Sequence, residues 1–232
     1  MKNVLKLICL MLIALSSVGV VSASDFMTFK DEYHASVIST NLVGEPSTLL
    51  NPANNSELFM WYTKSDDTAW FARSADGITF TNNQVTNIPG GLRTFVCYMD
   101  GHYYAYVTNH TAMDTVINCY VSDNMVNFLY VGPAITKGAS ASDWDYSHVA
   151  NSCVWKENGT YYILYEGNNV DNIWKMGLAT GTGPANFTKS GTGPFFSFDS
   201  GNPELLMNNG VPVKVNGYYR MWYHSCNKFY RF

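Results

Sequence analysis

The chain has 232 residues, of which 47% are hydrophobic, 15% aromatic and 14% charged, and its formal net charge is −4 at pH 7. The apolar fraction is ample for a packed core, and so few charges exclude general disorder. The 14 Lys and Arg residues form no basic run, which argues against nucleic acid as a partner. The 16 Tyr, 13 Phe and 18 Gly residues favour strands and turns, so an all-β fold is expected.

The N-terminus has the pattern of a secretory signal peptide. A basic start is followed by an unbroken apolar run over 7–15, and Val21-Ser22-Ala23 offers small residues for cleavage. The run is too short to span a bilayer, which takes about 20 residues; an N-terminal core helix is the alternative. We expect residues 1–23 to be removed and residues 24–232 to form one secreted or periplasmic domain that does not contact the membrane.

Cysteine and histidine spacing gives no sign of a metal site or another cofactor. Four cysteines follow the predicted cleavage point, without a Cys-x-x-Cys pair, and the five histidines are scattered. Cys97 and Cys153 stand inside apolar runs that resemble strands. We expect both to be small buried hydrophobic residues, and no cofactor is predicted.

An aromatic-rich segment recurs four times along the chain, at 57–62, 102–107, 160–165 and 218–223. The last three copies each follow a turn dipeptide, namely Asp100-Gly101, Asn158-Gly159 and Asn216-Gly217. Such dipeptides favour the positive φ angles of a tight hairpin, so each predicts two antiparallel strands.

A second motif follows the first three copies, at 72–80, 120–128 and 179–187, where a small residue and turn-forming residues precede a Phe. It predicts a third strand, a turn and a short fourth strand that ends near the Phe. Four-stranded antiparallel units that repeat along a chain are blades of a β-propeller, whereas a β-sandwich with accidental similarity is the alternative. Three complete blades and about half of a fourth are expected, so the propeller is predicted to be incomplete.

These segments resemble the five-bladed propellers of the furanosidase-type glycoside hydrolases, families 43, 32 and 130 and their relatives. The resemblance is carried by 58–63 with 72–80, by 144–149 with 158–162, and by 216–224, and it covers about residues 41–226. It implies five blades, of which this chain would hold about three and a half, and hence a C-terminal truncation. It also implies action on the glycosidic bonds of a poly- or oligosaccharide, with carbohydrate as the partner.

Glycoside hydrolysis needs two carboxylates, one to protonate the leaving oxygen and one to activate water or attack the sugar. In a propeller the first strand of each blade lines the central channel, so acids some distance before each hairpin turn are candidates. The predicted catalytic residues are Glu45, Asp145 and Glu204. A solvated loop position for Glu45 and Glu204, and a turn cap for Asp145, are the alternatives.

Further residues near the same strand ends suit sugar binding, because aromatic faces stack on sugar rings and polar groups bond hydroxyls. The predicted substrate-binding residues are Trp144, Arg93, His148, Glu166 and His224. Surface roles for Glu166 and His224 are equally compatible with the sequence. We expect Glu45, Arg93, Asp145 and Glu204 to gather around one channel mouth.

One departure from the resembling families weakens the prediction of catalysis. Family 43 carries a general-acid Glu shortly before the turn glycine of the third blade, where this chain has Ala150-Asn151. Neither residue can donate a proton as a carboxylic acid does. A non-catalytic carbohydrate-binding propeller, or a fragment without independent activity, is therefore the alternative function.

Overall fold

The computed structural model describes residues 43–64, 66, 68–89, 93–110, 115–169, 173–196 and 205–227. The predicted signal peptide lies outside these residues. Within them the chain forms strands and no helix, so no helix with the length and hydropathy of a membrane span occurs there. The strands are β1 (Val43–Leu50), β2 (Leu58–Lys64), β3 (Ala69–Ser74), β4 (Thr81–Val85), β5 (Phe95–Met99), β6 (His102–His110), β7 (Thr115–Ser122), β8 (Leu129–Thr136), β9 (His148–Glu157), β10 (Thr160–Asn168), β11 (Lys175–Gly183), β12 (Asn186–Lys189), β13 (Leu205–Val215) and β14 (Tyr218–Asn227).

The strands form four antiparallel sheets in chain order, here named blades I to IV. Blades I, II and III hold β1–β4, β5–β8 and β9–β12, and each is a simple meander of four strands. Blade IV holds β13 and β14 only, among the residues that the structure describes. The all-β propeller with three complete blades and half of a fourth is therefore confirmed.

Three tight hairpins join the first two strands of blades II, III and IV. Their turn residues all have positive φ: 52° and 86° at Asp100-Gly101, 50° and 82° at Asn158-Gly159, and 52° and 82° at Asn216-Gly217. Two successive positive φ angles define the turn whose twist matches that of paired strands, and Asn, Asp and Gly adopt them at the least cost. The hairpins predicted from these dipeptides are confirmed.

The position of the fourth strand differs from the prediction. In blades I and II it begins after the Phe of the repeated motif, because β4 follows Phe80 and β8 follows Phe128. The preceding residues form a compact loop instead of a strand. In blade I, the backbone N–H groups of Ile78 and Thr79 donate to Oδ1 of Asp76, at 2.8 and 2.7 Å, so they are unavailable to a neighbouring strand.

The hydrophobic core consists of layers between neighbouring blades. Trp61 and Val107 are buried in the layer between blades I and II, and Tyr106 and Ile163 in the layer between blades II and III. The Trp61 indole N–H donates across the first layer to the backbone oxygen of Met125, at 2.9 Å. Aromatic strand residues thus hold the blades together face to face.

Three cysteines are buried, and two of them, Cys97 and Cys119, lie in the layer between blades II and III. Cys97, Cys119 and Cys153 form no disulfide. This confirms the prediction that Cys97 and Cys153 are small buried residues. Burial raises the pKa of Cys153 to about 12, because the apolar surroundings disfavour its thiolate.

The first strands of the blades, β1, β5, β9 and β13, contact one another in succession and form the inner edge of the molecule. Blades I and II are joined there by the Val96 N–H, which donates to Oγ of Ser47 at 2.9 Å. The inner strands β5, β9 and β13 each run towards the hairpin turn that joins them to the next strand, so these turns lie at one end of the inner edge. The predicted inner segments 47–53, 94–99, 150–156 and 204–215 each contain inner-strand residues.

Candidate functional site

A cavity of about 500 Å³ lies between the inner strands of the four blades, among residues that precede the turn ends of these strands. Four short segments line it, one from each blade: Pro46, Ser47 and Thr48; Arg93, Thr94 and Phe95; Asn151, Ser152 and Cys153; and Gly210 and Val211. Polar side chains from three blades therefore converge on one concavity, as is typical of ligand sites in repeated folds. We call it the start cavity.

Irregular strand pairing shapes the start cavity. The register of β1 with β2 shifts between Gly44 and Ser47, and that of β13 with β14 shifts between Asn208 and Val211. In blade III, Ala150 pairs with Glu166 and Ser152 pairs with Tyr165, so Asn151 is the extra residue of a bulge. Bulges redirect side chains and are frequent beside functional sites.

Asn151 and Arg93 both have positive φ angles, of 42° and 54°. This conformation is uncommon for a residue with a side chain, and it is especially unfavourable for a long one such as Arg. The Asn151 backbone is held by its N–H, which donates to Oγ1 of Thr108 at 3.1 Å. Two residues with unfavourable backbone conformations, from different blades, thus line one cavity. The surrounding fold must offset the energetic cost of these conformations.

A buried carboxylate lies behind the cavity wall. The side chain of Glu166 is 2% exposed, and its Oε2 accepts a hydrogen bond from Nδ2 of Asn151 at 2.7 Å. Nη1 of Arg93 lies 4.0 Å from the same oxygen, and the Arg93 side chain is 36% exposed. The cation and the amide stabilise the negative charge of Glu166 in a place where water cannot. Both of these partners, Arg93 and Asn151, line the start cavity.

Asp145, which the sequence predicts as a catalytic residue, is buried and is absent from the lining of the start cavity. Its Oδ2 accepts hydrogen bonds from Nζ of Lys189 at 2.6 Å and from the hydroxyl of Tyr165 at 3.0 Å. A Cβ at Gly167 would lie 2.6 Å from Cβ of Asp145, so the chain passes very close there. These contacts connect β12, β10 and the segment before β9.

The predicted sugar-binding residues of blade III lie next to this carboxylate or near the start of β9. Trp144 packs on the ring of Tyr165, with centroids 5.7 Å apart. His148 is exposed, and its Nδ1 lies 3.0 Å from Oδ1 of the buried Asn168. Neither Trp144 nor His148 lines the start cavity.

The remaining predicted residues fall partly or wholly outside the described part of the chain. Glu45 belongs to β1 and directly precedes Pro46 of the start cavity, but its side chain is outside the described part. His224 belongs to β14 and pairs with Asn208, and its side chain is likewise outside. Glu204 lies entirely outside. Their predicted roles stay predictions, as does the catalytic role of Asp145.

Of the four residues expected at one channel mouth, the described structure therefore places Arg93 there. Asn151 was predicted only as the position of a missing acid, and the cavity residues Ser47, Thr94 and Ser152 were not predicted. A usable signal existed, because each is a polar residue beside or within an apolar inner strand. No group of three metal-ligand side chains occurs among the described residues.

No family model and no curated protein matches the sequence. Solved structures do match. An endo-1,4-beta-xylanase from Bacteroides thetaiotaomicron superposes with a TM-score of 0.66 at 19% identity, over 78% of this chain and 64% of that protein. A thermostable family-43 glycoside hydrolase gives 0.58 at 17% identity, over 76% and 64%. The beta-1,2-mannobiose phosphorylase from Listeria innocua gives 0.56 at 14% identity, over 80% and 58%.

The chain has the fold of the propeller glycoside hydrolases. The resemblance seen in the repeated segments is thereby confirmed at the level of the fold. The chain spans 64% of the length of the xylanase and 64% of that of the family-43 enzyme. At these identities the likeness concerns the backbone, so the chemistry must be argued from the start cavity itself.

Proposed function

We propose that this chain is a glycoside-hydrolase-type propeller that binds a poly- or oligosaccharide in the start cavity and hydrolyses its O-glycosyl bonds. The observation that carries the proposal is the cluster of Arg93, Asn151 and Glu166 at that cavity. Arg93 and Asn151 supply hydrogen-bond donors for sugar hydroxyls, and Ser47, Thr94 and Ser152 add hydroxyl groups of their own.

The proposal assigns the two carboxylates of hydrolysis to Glu166 and Glu45. Glu166 is held in place by the Arg93 guanidinium and the Asn151 amide at the cavity wall, and the proposal gives it the role of the base. Glu45 directly precedes Pro46, a cavity residue of blade I, and would protonate the leaving oxygen. The base then takes a proton from water as that water attacks the anomeric carbon.

The test is hydrolysis of aryl glycosides and of xylan, arabinan, mannan and β-glucan by the wild type, Glu166→Gln and Glu45→Gln. Both changes keep the size of the side chain and remove the carboxylate. Each is expected to lower turnover at least about a hundredfold, the lower range for a positioned acid or base. Thermal melting of each variant separates lost catalysis from lost folding. Full activity of folded Glu166→Gln would refute its assignment.

A non-catalytic carbohydrate-binding propeller is the second candidate. It is favoured by one observation: among the described residues that line the start cavity, none is Asp or Glu. A wild type that binds one of the four polysaccharides, yet releases no reducing ends from any of them, would favour this function over hydrolysis.

We further propose that the protein is exported and acts outside the cytoplasm, in the periplasm or the medium. The basic start, the apolar run over 7–15 and the small residues up to Ala23 support this. N-terminal sequencing of the protein from those fractions should begin at Ser24. A chain that retains Met1 and stays in the cytoplasm would refute the proposal.

A further inference from the structure

A second cavity lies at the other end of the inner strands. Its volume is about 530 Å³, and it is lined by Leu49, Cys97, Tyr98, Met99, Asp100, Val154, Trp155, Lys156, Asn158 and Gly159. These residues end β1, β5 and β9 or belong to the hairpin turns that follow β5 and β9. The start cavity is lined by earlier residues of the same strands, so the two cavities are separate. We call this one the turn cavity.

An exposed aromatic ring stands in the turn cavity. Tyr98 is 39% exposed, although its neighbours Cys97 and Met99 on β5 are buried. The ring of Tyr98 is supported by Tyr103, with centroids 5.0 Å apart. Trp155 on β9 adds a second aromatic side chain to the lining. Flat apolar rings in a concave surface are what the face of a sugar ring packs against.

Charged groups in fixed positions stand beside these rings. Nζ of Lys156 donates to both carboxylate oxygens of Asp100, at 2.6 and 2.7 Å, and the hydroxyl of Tyr161 also donates to this carboxylate. The hydrogen bonds from Lys156 and Tyr161 lower the pKa of Asp100, which keeps it ionised in mildly acidic solution. Asp100 and Lys156 are exposed, so water or a ligand reaches them.

We infer that the turn cavity is a second carbohydrate-binding site, separate from the start cavity. Tyr98 presents aromatic surface to the sugar ring, Asp100 accepts hydrogen bonds from hydroxyls, and Lys156 donates to them. Trp155 stacks on Tyr162 and forms part of the cavity wall. A neutral sugar fits better than a charged ligand, because the cation and the anion of the lining are already paired. The site binds and does not hydrolyse, because Asp100 is the one carboxylate of its described lining and hydrolysis needs two.

This site goes beyond the proposed function, because a polysaccharide held at the turn cavity anchors the protein whether or not the start cavity is catalytic. The two hydrogen-bonding residues come from blades II and III, so the site depends on the packing of these blades. It does not involve Arg93, Asn151 or Glu166.

The experiment is affinity electrophoresis of the full chain through gels that contain xylan, arabinan, mannan or β-glucan. At least one polysaccharide should retard the wild type. For that polysaccharide Tyr98→Ala should weaken binding about tenfold, the effect of losing one ring contact, and Tyr98→Phe should keep it. Tyr130→Ala is the matched control. Tyr130 lies on the outer strand β8 of blade II, is 59% exposed and packs edge-to-face with Tyr120.

Asp100→Asn provides a second measurement if Tyr98→Ala melts early, because it keeps the shape of the lining and removes its charge. It should also reduce retardation. The readout is binding, so an inactive chain that is retarded through Tyr98 still supports the turn cavity, and failure of hydrolysis leaves this inference standing. Retardation that is equal in the wild type, Tyr98→Ala and Asp100→Asn would overturn it, as would the absence of retardation by all four polysaccharides.

Discussion

At the scale of single residues, Asp145 was predicted to be catalytic, and the structure shows contacts of this carboxylate that the sequence did not reveal. It follows a Trp in an aromatic segment, which suits sugar binding, but its partner Lys189 lies 44 residues away in sequence. The residues around Asp145 in the sequence give no indication that Lys189 is its partner. In the structure Asp145 accepts hydrogen bonds from the Lys189 ammonium and the Tyr165 hydroxyl, contacts that also suit a stabilising role.

We therefore expect Asp145→Asn to destabilise the fold. Removing one partner of a buried ion pair costs about 3–5 kcal/mol, and the lower end applies because Lys189 is partly exposed. Urea unfolding measures the change. Asp123→Asn is the control, since Asp123 is exposed and pairs with His102 at the surface, where such pairs contribute little. A stable Asp145→Asn variant with turnover reduced a hundredfold would instead support the catalytic role predicted from the sequence.

Arg93 and Glu166 were proposed from the sequence because each stands beside apolar or aromatic strand residues, whereas the contact between Asn151 and Glu166 could not be foreseen. Its amide reaches Glu166 only because a bulge in β9 makes Asn151 the extra residue between two paired positions. A bulge depends on pairing across the sheet, so no pattern within one strand reveals it. The spacing of residues along the chain therefore indicated which strands approach one another, but not which side chains contact one another there.

At the scale of elements, the loop between the third and fourth strands is a repeated unit with its own hydrogen bonds. Asp76 accepts from the Ser74 hydroxyl and from two backbone N–H groups in blade I, and Asn124 accepts from two equivalent N–H groups in blade II. The sequence revealed the turn but not where the next strand begins, because side-chain acceptors replace strand pairing here. Hairpins with Asn-Gly or Asp-Gly were predictable because their backbone angles are set by the dipeptide itself.

The Asp76 loop should make stability depend on pH at the acidic end. The backbone N–H groups of Thr79 and Ile78 lower the pKa of Asp76 below its usual value. A carboxyl group whose pKa is lower in the folded state stabilises the fold at pH values above its unfolded pKa of about 3.9. This stabilisation is lost as the pH falls below about 3.9 and through the folded-state pKa. We expect Asp76→Ala to lower the melting temperature at pH 7 and the difference from wild type to shrink below pH 4.

Asp76→Asn is the matched variant, since Asn124 forms the same loop in blade II. At pH 7 its melting temperature should be higher than that of Asp76→Ala. Its melting temperature should also fall less in acid than that of the wild type. Equal melting temperatures of the wild type and Asp76→Ala at pH 7 would show that the loop does not contribute to stability.

At the scale of the whole molecule, blade IV differs from the other blades in having two described strands where they have four. β14 pairs with β13 and with no other described strand, and its aromatic side chains are exposed, Tyr218 by 78%. An edge strand with exposed rings offers backbone hydrogen bonds and apolar surface to another chain. We expect the mature chain to self-associate as its concentration rises, as sedimentation velocity would measure.

Trp222→Lys tests this expectation, because a charge on an edge strand opposes pairing with another edge. It should shift the protein towards monomer. Gln84→Lys adds the same charge to β4, a strand whose side chains are all exposed, and should leave association unchanged. A wild type that remains monomeric at all concentrations would contradict the prediction.

The cysteines buried between the blades give the molecule an internal chemical reporter. A thiol reacts as its thiolate, and burial raises the pKa of Cys119, as of Cys153, to about 12. Cys119 is fully buried in the layer between blades II and III, so a dissolved thiol reagent reaches it only when that layer opens. The rate at which Cys119 is labelled therefore measures how often these two blades separate, in a protein whose two cavities both depend on their packing.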